Sequence, residues 1–247
     1  MKKTDEKNKD SLKISCRRFG RVSLLAAMAI VGGYMSSQAQ TLYVPHVHVG
    51  GHAGAVLSQQ SFNPSIEQAM HQGFMIGASF MWAEERHVGL RAELNLTQRG
   101  WTEKFDDTTQ FSYSRTLTYV ELPLMTHIFF GGRHVKCIFN LGPQLCYMIG
   151  DNISSNFDYH NPGNVDGFIT ANRTTAQMGM DVTNRFDYGI TAGVGCEFTI
   201  GRKHAFTLEG RYYYGLGNIY PASKRDYFSA SRGNAIMVTL GYDFRLK

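Results

Sequence analysis

Hydrophobic and polar residues alternate with a period of two along eight segments of this 247-residue chain. The pattern is plainest in the last segment, residues 234–244, where one register holds Ile236, Val238, Leu240, Tyr242 and Phe244. The other register holds Met237, Thr239, Gly241 and Asp243. Successive side chains of a β-strand point to opposite faces of its sheet, so the alternation predicts a strand with one apolar face and one small or polar face.

Seven further segments repeat this alternation, at residues 46–57, 74–82, 88–96, 120–128, 137–149, 186–200 and 206–216. Beyond residue 39 no window has a sustained helical period, and no apolar run reaches the roughly 20 residues that a membrane-spanning helix needs. The sequence therefore predicts an all-β chain of eight antiparallel strands, a number that can close into a barrel.

Charged residues in these segments fall almost entirely in the register opposite the apolar one. They are Arg91, Glu93, Glu121, Lys136, Asp187, Glu197, Glu209, Arg211 and Asp243. In a water-soluble barrel this register would face solvent, whereas in a membrane barrel it faces inward and the apolar register faces lipid. Alternation alone does not distinguish the two arrangements, because both hide one face from water.

The connections between segments favour the membrane barrel, because short and long ones alternate. Short connections lie at residues 83–86, 131–134 and 201–204, and long ones at 58–72, 101–115, 150–185 and 217–233. Outer-membrane barrels have short periplasmic turns and long external loops. Large aromatic residues of the apolar register also sort into two groups, as expected for girdles at the two membrane borders. Trp82, Phe130, Phe198, Phe206 and Phe244 lie near the short turns or the C-terminus, and Phe74, Tyr147, Phe186, Tyr188, Tyr212 and Tyr214 lie towards the long loops.

The first 39 residues have the order of a secretory signal peptide. Basic and polar residues precede the apolar stretch 22–31, and small residues follow it up to Ala39. We therefore predict two parts, a signal peptide at 1–39 and an outer-membrane β-barrel domain at 40–247, located in the cell outer membrane. The leader holds eight of the 25 Lys and Arg residues and three of the 20 Asp and Glu residues. The net charge of +5 thus belongs to the leader, and the basic pI gives no reason to expect nucleic-acid binding.

Three cysteines remain outside the leader, an odd number without a CxxC motif. Cys137 and Cys196 fall in the apolar register and Cys146 in the opposite one. This pattern predicts neither a disulfide framework nor a zinc site, and each cysteine is interpreted as a small apolar filler.

Pro123 and Pro143 lie inside predicted strands, where each removes a ladder hydrogen bond, so we expect a bulge or kink at both positions.

Several short motifs, taken in order, resemble the PorT-like outer-membrane β-barrel family of Bacteroidetes. They are Leu90-Arg91-Ala92-Glu93-Leu94 running on to Gln98-Arg99-Gly100-Trp101, Tyr119-Val120-Glu121-Leu122-Pro123-Leu124, Asn140-Leu141-Gly142-Pro143, Phe186-Asp187-Tyr188-Gly189 and Gly241-Tyr242-Asp243-Phe244. The resemblance covers the chain from about residue 45 to its end and implies an eight-stranded barrel in a Gram-negative outer membrane. Pro123, two residues after Glu121, is typical of that family. Three residues follow Phe244, whereas many such barrels end on the aromatic residue that the barrel-assembly machinery recognises.

Side chains fill the interior of an eight-stranded barrel, so the inward charges should pair rather than line an open pore. We expect Arg91 and Glu93 to neighbour Glu121, and Glu197 to neighbour Glu209 and Arg211. Asp187 and Asp243 belong to the same barrel-interior charge network. Its structural interpretation is a salt-bridge and hydrogen-bond network in place of an apolar core. The alternatives are a gated ion path or an active site.

Candidates for other chemistry are few. His46, His48 and His52 share the inward face of the first strand, where neutral imidazoles could bind Zn or Cu. The alternative is structural hydrogen bonding or exposure to the periplasm. No catalytic motif and no candidate nucleophile are present, so no catalytic residue, metal ligand or cofactor is predicted.

The long connection 150–185 is rich in polar residues and glycine, and loops of this length either bind something or are simply mobile. Its Phe157, Tyr159 and Phe168 are candidate contacts with a protein partner. The predicted function is that of a non-enzymatic surface barrel in contact with outer-membrane lipid, with a partner at the long loops or the periplasmic face. The alternatives are an accessory component of a type IX secretion or gliding apparatus, as the resemblance suggests, and a lipid-modifying enzyme.

Overall fold

Nine β-strands and two short helices form the described part of the chain. The structure, a computed structural model, describes residues 46–83, 87–105, 110–132, 134–168, 174–201, 203–223 and 225–246. The strands are β1 (His46–Asn63), β2 (Gln68–Ala69), β3 (His71–Ala83), β4 (Val88–Glu103), β5 (Tyr113–Gly131), β6 (Val135–Ser155), β7 (Phe186–Ile200), β8 (His204–Gly215) and β9 (Ala230–Arg245). A 3-10 helix spans Pro162–Asn164 and helix α1 spans Ala176–Gly179. The predicted signal peptide lies outside the described residues.

Eight of these strands close into an antiparallel barrel. The sheet order is β2-β4-β3-β1-β9-β8-β7-β6-β5, and an additional pairing of β4 with β5 completes the ring. The first and last long strands pair from His48↔Arg245 to Asn63↔Ala230. Strand β2 adds only two residues beside the end of β4. The predicted fold class, an eight-stranded antiparallel barrel, is confirmed. Within the described residues, no helix is long and apolar enough to cross a membrane.

The two prolines sit in the barrel without a change of register, contrary to the bulges expected there. Strands β4 and β5 keep one register on both sides of Pro123, and β5 and β6 keep one register on both sides of Pro143. The only register shift between β5 and β6 lies between Thr118 and Tyr119. A missing N–H removes one ladder bond and adds no residue, so a bulge is not required at either proline.

The outer wall of the barrel is apolar, as the alternation predicts. Leu240 is 67% exposed and Val194 62% exposed, and the outward positions of the other strands are similarly uncovered. Outward aromatic residues flank this belt at both borders, with Phe198 paired to Phe206 on one side and Tyr147 paired to Phe186 on the other. An apolar surface of this extent, closed around the whole barrel, is stable only against lipid.

The strands continue well past the apolar belt on the side of the long loops, and there the alternation reverses. On β5 the outward positions become Ser114, Thr116 and Thr118, whereas the inward Leu117 and Tyr119 are buried and apolar. Water replaces lipid outside the barrel at this height, so polar residues face outward and apolar residues form a core. Parts of the predicted loops 58–72, 101–115 and 150–185 are therefore strand, extending to Asn63, Glu103 and Ser155.

Candidate functional site

Glu93 is the centre of the charge network inside the barrel. Its carboxylate accepts hydrogen bonds from Arg91 Nε and from Arg211 Nη2, each at 2.7 Å. Arg211 is on β8, on the far side of the barrel from β4, and it also donates to Glu209 at 2.8 Å. Asn95 donates a further bond to Glu93 at 3.1 Å. All five side chains are buried, so this network spans and fills the lumen.

Arg99 forms a second centre nearer the long loops, and the sequence interpretation did not include it. Its guanidinium carbon lies 4.3 Å from the ring centroids of both Tyr119 and Tyr213. Its Nε is 3.0 Å from Glu121 Oε1, and its Nη2 is 3.6 Å from Asp187 Oδ2. Cation–π contacts and ion pairs thus hold one buried cation between two carboxylates.

The remaining predicted charges pair nearer the short turns. Asp243 accepts a hydrogen bond from Ser79 Oγ at 2.7 Å and lies 3.5 Å from Arg91 Nη1. Glu197 accepts a bond from Lys136 Nζ at 2.7 Å. With Arg99 included, this interior set contains six acidic side chains and four basic ones.

The predicted neighbours differ from the observed ones because the register sets the height of each side chain. Glu121 lies opposite Asn95 rather than beside Arg91, and its cation is Arg99. Glu197 lies opposite Lys136 on β6, two rungs away from the level of Glu209. The sequence identified which residues point inward, and it did not identify which of them share a level.

The three histidines of β1 are spread along the barrel axis rather than gathered. His46 contacts Arg245, and His52 Nε2 lies 3.4 Å from Glu93 Oε2. At about 3.3 Å per residue, His46 and His52 are roughly 20 Å apart along the strand. Among the residues that the structure describes, no three His, Cys, Asp or Glu side chains are grouped so that they could hold a metal ion.

A folded cap covers the barrel mouth on the side of the long loops. Helix α1 is fixed there by Tyr113, whose hydroxyl donates to the Met178 carbonyl at 2.9 Å. The Tyr220 hydroxyl donates to the carbonyl of Gln177 at 3.1 Å, and Gln177 donates to Glu103 at 2.6 Å. Around these bonds the buried apolar side chains form a core, which contains Phe62, Trp101, Tyr113, Leu117, Met178, Ile219, Tyr220 and Phe228.

Arg115 joins the cap to the barrel wall. Its Nε donates to Asp151 Oδ1 at 2.8 Å, and its Nη1 donates to the Met180 carbonyl at 2.6 Å and to the Tyr220 hydroxyl at 3.0 Å. Burial lowers the pKa of Arg115, but the hydrogen bonds to Asp151 and the nearby charges of Asp151, Tyr220 and Tyr113 together outweigh burial and raise the pKa above its usual range. The side chain is therefore a permanent cation that holds three separate segments together.

Four phenylalanines form an apolar patch beside the cap, called here the phenylalanine patch. Phe105 and Phe111 come from the loop between β4 and β5, and Phe157 and Phe168 come from the loop between β6 and β7. Their ring centroids are 5.1–6.2 Å apart, and each side chain is half-buried. Phe105 and Phe111 also line a groove of about 330 Å³ with Thr102, Lys104 and Ser154 among its other walls.

The structure separates the three loop residues that the sequence singled out. Phe157 and Phe168 belong to the phenylalanine patch, with their rings 5.1 Å apart. Tyr159 instead packs on Tyr113 of the cap, with ring centroids 6.0 Å apart. All three predicted residues are partly buried against the extracellular core, so they help fold their loop as well as presenting a surface.

The closed ring, the apolar outer belt and the filled polar interior define a transmembrane β-barrel of the outer-membrane type. A family model described as the outer membrane protein beta-barrel domain matches residues 37–220, and the chain belongs to this family. The chain is located in the outer membrane, as predicted. No curated protein sequence matches the chain.

Solved outer-membrane barrels have a similar fold. The outer membrane protein OprG from Pseudomonas aeruginosa is 10% identical, with 82% of this chain and 95% of that chain covered and a TM-score of 0.50. Neisserial surface protein A is 11% identical, with 82% of this chain and 99% of that chain covered and a TM-score of 0.46. At these identities the likeness concerns the fold alone.

Proposed function

We propose that this protein is a non-enzymatic outer-membrane barrel that binds another protein at the cell surface through its phenylalanine patch. The patch carries the proposal, because phenylalanine rings that stay partly exposed on water-facing loops are costly unless something covers them. Aromatic residues are also enriched at the centres of protein interfaces. The patch stands on a fixed base, since the neighbouring cap is bonded to the barrel wall through Arg115.

The interior supports a structural role for the barrel itself. Glu93, Arg211 and Arg99 lie across the lumen at two heights, and the cap core closes the mouth above them. Buried charges that compensate one another fill the interior, so the loops are the surface available to a partner. The barrel then acts as a platform, in contact with outer-membrane lipid outside and with the protein partner above.

Site-specific photocrosslinking in intact cells tests the proposal. A photoreactive residue at Phe157 or Phe168 should give the same discrete protein adduct, and the adduct should disappear when Phe105 and Phe111 are replaced by serine. Tyr227, an exposed aromatic residue on a different surface loop, is the matched control position and should give none of this adduct. An identical adduct pattern at all three positions, or adducts to lipid alone, would contradict the proposal.

Narrower assignments of the chain rest on the sequence motifs. The quoted motifs support membership of the PorT-like group of Bacteroidetes barrels, with a secretion or gliding apparatus as the alternative setting. Stoichiometric copurification with a multiprotein complex, retained after the phenylalanine patch is changed to serine, would favour that alternative. An altered lipid A profile in a deletion strain would instead favour a lipid-modifying enzyme.

A further inference from the structure

Two cysteines that are 59 residues apart in the sequence lie directly opposite each other in the barrel. Cys137 of β6 pairs in register with Cys196 of β7. Both side chains belong to the outward register, where each was expected to be an apolar filler. Two side chains on the same face of neighbouring strands at one rung are the closest cross-strand neighbours that a sheet provides.

Hydrogen-bonded and non-hydrogen-bonded rungs alternate along β6 and β7, and the rung of the two cysteines is of the kind whose Cα spacing suits a disulfide. Three rungs away, the Thr199 N–H donates to the His134 carbonyl at 2.8 Å, and the register is continuous from there to Cys137 and Cys196. Hydrogen-bonded and non-hydrogen-bonded rungs alternate in an antiparallel pair, so an odd shift of three makes the cysteine rung non-hydrogen-bonded. Such rungs have Cα atoms about 4.5 Å apart, within the range of about 4.4–6.8 Å that a disulfide spans.

The third described cysteine does not compete for this pairing. Cys146 is buried inside the barrel, where its sulfur lies 3.7 Å from the Tyr213 hydroxyl. Cys137 is exposed and Cys196 half-exposed, and all three are free thiols in this structure. The outward pair lies near the border by the short turns, since Cys137 is opposite Phe130 on β5. The short turns of outer-membrane barrels face the periplasm, so this border does too. The bacterial periplasm is kept oxidising.

We propose that Cys137 and Cys196 form a cross-strand disulfide on the periplasmic side of the barrel wall. The thiolate of one cysteine attacks a disulfide-bearing periplasmic oxidant, forming a mixed disulfide and releasing one oxidant thiol. The second cysteine thiolate then attacks the sulfur of the first and releases the other oxidant thiol. The two protein thiols lose two electrons to the oxidant disulfide, and their two protons go to the two released thiols. The bond ties β6 to β7 at the end opposite their long connecting loop.

Thiol labelling of the protein purified from outer membranes tests this pair. The chain is denatured without reductant in N-ethylmaleimide and digested, and the peptides are identified by mass. We expect a linked peptide pair containing Cys137 and Cys196, with the label only on Cys146; prior reduction should place labels on all three. Labels on all three without reduction, or a link that involves Cys146 or a second chain, would overturn the proposal.

Mobility of the heat-denatured chain gives a second readout. A disulfide that closes a loop of this length makes the unfolded chain more compact, so the non-reduced band should migrate faster than the reduced one. Cys137→Ala and Cys196→Ala should each abolish this difference, and Cys146→Ala, the matched control, should retain it. Folded migration before heating shows that each variant still forms the barrel. Equal migration with and without reductant in the unaltered chain would contradict the proposal.

Discussion

Replacing Leu240 by arginine places a cation at the middle of the apolar belt. Leu240 is 67% exposed and lies on β9 halfway between Ile236 and Phe244, about 13 Å from each along the strand. Ile236 is paired with Tyr212 of the girdle towards the long loops, and Phe244 belongs to the girdle near the short turns. The substitution therefore tests the site with the greatest distance from water on either side.

The expected cost follows from this depth. A cation at the midplane of an outer-membrane barrel costs about 2–4 kcal/mol, and the cost falls to about 0–1 kcal/mol near the borders. At about 1.4 kcal/mol per factor of ten, Leu240→Arg should lower the folding equilibrium constant roughly 30- to 700-fold. Ile236→Arg is the matched control, because it introduces the same side chain on the same face of the same strand, but at the border of the belt.

The unfolding free energy of both variants is measured by denaturant titration in lipid vesicles, with heat-modifiable gel migration as the readout of the folded fraction. We expect a clear loss of unfolding free energy for Leu240→Arg and little change for Ile236→Arg. Equal effects for the two variants would refute the depth argument. An unchanged free energy for Leu240→Arg would refute the assignment of this face to lipid.

Further predictions concern the interior and the cap. Glu93→Ala leaves Arg211 without its main partner and should destabilise the barrel by about 3–5 kcal/mol, measured by the same unfolding assay, while Glu93→Asp should restore part of this loss. Glu121→Gln should leave insertion intact, as shown by normal heat-modifiable migration, but lower the unfolding free energy because Arg99 loses one of its two carboxylates. Arg115→Met should speed proteolysis of the loop at 156–185 in intact cells without changing barrel migration; an unchanged cleavage rate would show that the cap is held by its apolar core alone.

The period-two pattern predicted the eight strands of the barrel, the face that each residue occupies and the inward position of the charged residues. The prediction succeeded because residues that face lipid must be apolar, whereas the alternate residues that face the packed interior can be polar or charged. Arg99 has the same parity as Arg91 and Glu93 and could have been assigned inward. It was missed because the apolar register of its strand ends at Leu96, where the outer wall leaves the lipid.

The cap and the extracellular parts of the strands could not be predicted from the same pattern. Outside the membrane the apolar register switches faces, so Leu117 and Tyr119 point inward where the pattern from the belt predicts polar residues. Which side chains of two distant loops come into contact depends on where the barrel places the ends of those loops. The meeting of Phe105 with Phe168 across two loops, and of Cys137 with Cys196 across two strands, carries no local signal.

Lipid exposure measured residue by residue along β9 shows directly whether the apolar face of the barrel meets lipid. Spin labels placed singly at positions 236–243 of the barrel in bilayers report their contact with oxygen dissolved in the lipid. We expect high accessibility at the even positions and low accessibility at the odd ones, with a period of two throughout. The opposite phase, or uniform accessibility along the strand, would contradict a barrel whose apolar face meets lipid.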